Sequence, residues 1–140
     1  MQRTIPYLFA VLATIAAGVP NPALAQSEAA AQTVVAGTFG DLEGHDASGD
    51  VRMRSAQGRT TLTFGENFDS ENPPEVYVYL SKTPDYSDGE RLRVARLKGS
   101  DGAQRYTFKT PADLGAYRYV ILWCRPFSVG IGLAELNAVN

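Results

Sequence analysis

The sequence predicts an all-β fold: a single-domain β-sandwich or barrel-like antiparallel sheet of about eight or more short strands. Three observations carry this. Short runs rich in Val, Ile, Thr, Tyr and Phe recur, with Gly, Pro, Asn or Asp between them. No segment after residue 25 sustains a helical period. One run, 117–124, is apolar on both alternating faces, so it predicts a strand covered on both sides.

In chain order, residues 1–25 read as a secretory signal. Arg3 gives a positive start, 7–19 is apolar, and Ala23-Leu24-Ala25 offers small residues for cleavage. The apolar run is too short for a spanning helix of roughly 20 residues. The protein is therefore expected to be exported, periplasmic or extracellular, with no stable membrane insertion after signal removal. Residues 26–33 are Ala- and Gln-rich and read as a flexible leader. Residues 34–140 form the β domain.

Residues 34–39 are the first strand and 41–50 a polar loop. Runs 51–55 and 60–64 flank Gln57-Gly58 and predict a hairpin, with Leu62 and Phe64 inward and Thr61 and Thr63 outward. Residues 65–75 form a longer connection, stiffened by Pro73-Pro74. The run 76–80 alternates, with Val76, Val78 and Leu80 on one face and Tyr77 and Tyr79 on the other. Asp88-Gly89 marks a turn before 92–97, where slipping alternation near Ala95 predicts a bulge. Residues 104–108 turn Tyr106 and Phe108 inward, and 111–116 form one helical turn or a loop.

In the 117–124 strand, Tyr117, Tyr119, Ile121 and Trp123 share one face, and Val120, Leu122 and Cys124 the other. Trp123 is expected to be a large buried anchor. Pro126 ends the strand. Residues 128–136 close the domain, with Gly130 and Gly132 permitting a bulge or close backbone approach.

Composition narrows function by exclusion. The chain of 140 residues has 13 basic and 15 acidic side chains, and loss of Arg3 leaves 12 basic. No run of basic residues suits nucleic acid or an anionic membrane. The only cysteine, Cys124, rules out an internal disulfide, so the thiol is either packed in the core, paired with another molecule, or chemically used.

Nucleophilic use of Cys124 would need a base or a cation beside it. The only histidine, His45, reaches it only if the fold brings the first long loop to this strand; otherwise it braces that loop. Arg125 is adjacent in sequence, but neighbouring strand residues face opposite ways. The acidic loop of Asp41, Glu43, Asp46 and Asp50 matches no calcium-loop spacing, and a zinc site needs more Cys or His. No metal and no cofactor is expected. Tyr77, Tyr79, Tyr117 and Tyr119 make either an aromatic binding face or the covering of a second sheet.

An ordered set of short pieces runs through the chain. It includes Gly37-Thr38-Phe39, His45 with Ala47-Ser48-Gly49, and Leu62-Thr63-Phe64 to Asn67-Phe68. It continues through Pro74 to Leu80, Leu97-Lys98-Gly99, Gly102, Gln104 and Tyr106. The last block is Val120 to Cys124 with Arg125, Phe127, Val129, Gly132 and Ala134. This set resembles the DM13 domain, a small, usually extracellular β domain. The resemblance implies a redox or electron-transfer role centred on Cys124, with His45 and Arg125 as modulators of its thiolate. Two functions are thus weighed. One is a thiol-based redox module with an unknown protein redox or envelope partner, which is not a stand-alone enzyme. The other is a non-catalytic envelope interaction module in which Cys124 fills core volume.

Overall fold

The computed structural model describes residues 33–87 and 90–139, together with Gly18. Apart from Gly18 and Thr33, the expected signal and leader lie outside the described residues, as does the Asp88-Gly89 turn. Among the described residues the strands are β1 Thr33–Asp41, β2 Ala47–Ser48, β3 Asp50–Ala56, β4 Arg59–Phe64, β5 Asp69–Ser70 and β6 Val76–Ser81. They continue with β7 Arg91–Arg96, β8 Gln104–Lys109, β9 Tyr119–Cys124, β10 Val129–Glu135 and β11 Asn137–Ala138. One 3₁₀ turn, Leu114–Ala116, precedes β9.

The fold is all-β, as expected: a nearly closed, barrel-like antiparallel sheet. Its strand order is β7-β6-β9-β10-β1-β3-β4-β8, with β11 on β1 and a separate β2-β5 ladder. The end strands β7 and β8 approach each other without pairing, so the barrel is nearly but not fully closed.

Local chemistry sets the register. The β3-β4 hairpin closes on Gln57 and Gly58, both at positive φ (52° and 76°), the primed turn that matches strand twist. Val94 is an extra residue opposite the Val78/Tyr79 step, which places the expected bulge beside Ala95. Ile131 is the extra residue between Gly130 and Gly132, where β10 slips against β9. A Cβ on Gly132 would come within 2.5 Å of the Ala47 side chain, so the packing of β2 on the barrel needs glycine there.

Inward side chains fill the barrel. Phe39, Phe64, Phe68 and Tyr106 form an aromatic cluster with ring centroids 4.7–5.4 Å apart. Val76, Val78 and Leu80 from β6 and Val120, Leu122 and Cys124 from β9 complete the core. Strand β9 lies between β6 and β10 with both edges paired.

Three short strands, forming two ladders, depart from the sequence reading. Residues 41–50 and 65–75 are not plain loops, because β2 and β5 pair between them, and β11 pairs back on β1. Trp123 is a second correction. It lies on the outer face and is only half-buried, whereas Tyr79 on that face is 7% exposed and Ile121 is fully buried. What covers this face is Tyr86, whose ring stacks on Trp123 at 3.7 Å and meets Tyr79 edge-on at 5.2 Å. The outer face is covered by one aromatic side chain from the β6-β7 connection rather than by a second sheet.

Candidate functional site around Cys124

Cys124 is the last residue of β9, facing Val76 across the β6 ladder and Val129 across the β10 ladder. Its side chain points into the barrel and is 0% exposed. The thiol donates to the Pro74 carbonyl at 3.2 Å. Next to it, the Arg125 amide donates to the Glu75 carbonyl at 3.3 Å. Glu75 itself has φ +56°, an uncommon conformation for a residue with a Cβ. The segment 71–75 therefore runs past the end of β9, with its Pro74 carbonyl on the sulfur.

The far end of this segment is held by the loop that carries His45. The Glu71 amide donates to the Asp46 carbonyl at 3.1 Å, and the Glu71 carboxylate accepts from the Asp46 amide at 3.3 Å. His45 Nδ1 lies 2.6 Å from Glu71 Oε2. These donors hold the Glu71 carboxyl below its ordinary value, the His45 bond contributing most and the Asp46 amide next. The same loop is pinned to β10, because the Gly130 amide donates to the Glu43 carboxylate.

His45 and Cys124 are thus linked through residues 71–75 rather than by a bond of their own. The imidazole is partnered with Glu71, and the thiol with Pro74. Arg125 leaves on the other face. Its guanidinium sits 5.5 Å from the Tyr77 ring centroid, matched by Arg93 at the same distance. Only the Arg125 backbone enters the thiol's surroundings.

On that outer face, burial and then the Tyr86 hydrogen bond push the Tyr79 hydroxyl up to about 12. Arg91 lies 4.0 Å over Tyr86. Sequence reasoning missed two members of these arrangements, Glu71 and Tyr86. A solitary tyrosine in an otherwise polar connection was the available signal for the second. Among the described residues, no three of His, Cys, Asp and Glu gather closely enough to hold a metal ion.

A family model described as "Electron transfer DM13" matches residues 38–136. The chain belongs to the DM13 family. Comparison with curated proteins and with solved structures finds no match. The DM13 match begins within β1 and ends just after β10, so it takes in the barrel together with His45, Pro74, Cys124 and Arg125. The family's description names electron transfer at the level of the family, without naming a residue.

Proposed function

We propose that this DM13 chain is an exported redox module in which Cys124 is the reacting group and residues 71–75 gate its sulfur. The observation that supports this reading is the position of the chain's only thiol. It lies at the end of a barrel strand beneath one short segment held by hydrogen bonds at its two ends. With the segment closed, the sulfur is engaged by the Pro74 carbonyl and has no surface to offer. With it displaced, the thiolate, which is the nucleophilic form, can react.

The chemistry is a two-electron cycle. Sulfur attacks a peroxide oxygen, the O–O bond breaks, and sulfenic acid and water or an alcohol result. A second thiol then attacks the sulfenic sulfur, forms a mixed disulfide and releases water. With no second cysteine in the chain, that thiol comes from an external partner, as does the one that regenerates Cys124. In this reading His45 is a positioning residue acting through Glu71, and Arg125 acts through its amide on Glu75. The chain supplies one half of a redox pair and is no stand-alone enzyme.

Peroxide treatment of the native protein with a sulfenic-acid trap tests the proposal. Trapped mass on the peptide containing Cys124, absent in Cys124→Ser, is the expected result. Export is tested separately by mass measurement, with mature protein expected to begin at Gln26. Full burial of Cys124 favours a second reading, a non-catalytic envelope interaction module with a structural cysteine. A folded protein that resists the trap at every peroxide concentration supports that second reading and overturns the first.

A further inference from the structure

The barrel wall opposite the Trp123 face carries an arrangement that thiol chemistry does not use. Along β3, β4 and β8 the inward positions include Val51, Met53, Thr60, Leu62, Phe64, Gln104 and Tyr106, so the alternate residues face out. These outward residues include Arg52, Arg54, Arg59, Arg105 and Lys109, all exposed. Arg52, Thr63 and Arg105 lie in one cross-strand row, about 10 Å from first to last at the backbone. Arg59 stands directly opposite Lys109.

A groove with a volume of about 800 Å³ lies over this wall, lined by Arg52, Arg54 and Arg105 with Thr38, Thr61 and Thr63. The one acid in its lining, Asp50, is engaged by Thr38 and Asn67, each at 3.2 Å. The side chains of Arg52 and Arg105 make no ion pair or hydrogen bond with another described residue. Like charges facing each other across a sheet are destabilising. An excess of cations on one wall of a net-acidic chain is therefore not explained by the stability of the barrel.

The geometry points to this groove as a docking site for an acidic segment of a partner protein. The Arg52 and Arg105 guanidinium forks would take its carboxylates, and the threonine hydroxyls its backbone. The lining contains no aromatic ring, so nothing there stacks a sugar or a nucleobase. Charge complementarity of this kind steers encounter and sets orientation, and it weakens with salt. The inference stands on the groove alone and does not depend on chemistry at Cys124.

Deca-glutamate is the probe, titrated into ¹⁵N-labelled protein at low salt, with a sulfated oligosaccharide and oligo-thymidylate as separate arms. Deca-glutamate is expected to shift amides of β3, β4 and β8, to lose affinity as salt rises, and to bind roughly tenfold more weakly to Arg52→Gln/Arg105→Gln. Arg96→Gln, on β7, is expected to leave binding unchanged. Retained amide dispersion in the double variant shows that the barrel is intact. No shift with deca-glutamate overturns the inference. So does tighter binding of either other polyanion at the same residues, or equal binding by the double variant.

Discussion

The gating proposed for Cys124 makes a quantitative prediction about thiol labelling. Cys124 is fully buried, so a water-soluble aromatic disulfide reacts only with an open form. If residues 72–75 lift away alone, two hydrogen bonds are lost over the sulfur: the thiol to Pro74 and the Arg125 amide to Glu75. At about 0.5–1.5 kcal/mol each, opening costs about 1–3 kcal/mol and slows labelling between roughly 5- and 150-fold relative to an exposed thiol. Global unfolding of a domain of this size costs about 5–15 kcal/mol, which means slowing of at least several thousand-fold. Urea separates the two routes. Local opening exposes little surface, so the labelling rate should stay nearly flat at low urea, whereas unfolding imposes the full equilibrium slope. The chain has one thiol, so the readout has a single source. A rate that follows the global slope from zero urea, with protection above several thousand-fold, would refute the gate and with it the redox role of the sulfur.

Other consequences follow from particular contacts. Gly49 has φ +103°, and a Cβ there would lie 2.4 Å from the Phe68 Cα, so Gly49→Ala should cost more than about 3 kcal/mol in a urea melt. Tyr79→Ser should lose about 2–4 kcal/mol and more than Trp123→Ala, because Tyr79 is the better buried of the two; the opposite order would mean Tyr86 does not cover this face. The Glu71 carboxyl titrates below its ordinary value of 4.5 in the folded state, so its contribution to stability is present above that value and fades as pH falls through the lowered one. NMR titration should show the Glu71 midpoint rising in His45→Gln, while an unchanged midpoint would break the His45–Glu71 link.

The fold was legible where a period of two runs long enough to count. The Val76-Val78-Leu80 alternation, the Gln57-Gly58 hairpin and the two faces of 119–124 all follow from side chains switching sides along a strand, whereas Tyr117 and Arg118, expected in that strand, precede it. Two-residue ladders such as β2-β5 have no period to read, so they passed as loop. Alternation also sorts residues into faces without saying which face is the inside. With apolar groups on both sides of β9, the size of Trp123 suggested the core, and the smaller Val120, Leu122 and Cys124 occupy it. Strand β9 runs in the barrel wall with Tyr86 on one side and the core on the other, which satisfies the double covering by a different means.

The sites were less legible because their members are brought together by topology. His45 and Glu71 are 26 residues apart and form no motif, yet they meet because β2 and β5 pair between them. That pairing places the only imidazole at one end of the segment whose other end covers the only thiol. Charge behaves the same way. Read as a total, 13 basic and 15 acidic side chains exclude a polyanion surface, and no run of arginines contradicts the total. A sheet does not average its charge, however. Every second residue of β3, β4 and β8 faces out, so Arg52, Arg54, Arg59, Arg105 and Lys109 share one wall while apolar and aromatic neighbours take the inside. The acids are left mainly in loops and turns, such as Glu43 and Asp46 before β2 and Glu66, Glu71 and Glu75 around β5. The strand period that builds the barrel is thus also what gives a net-acidic chain a basic wall.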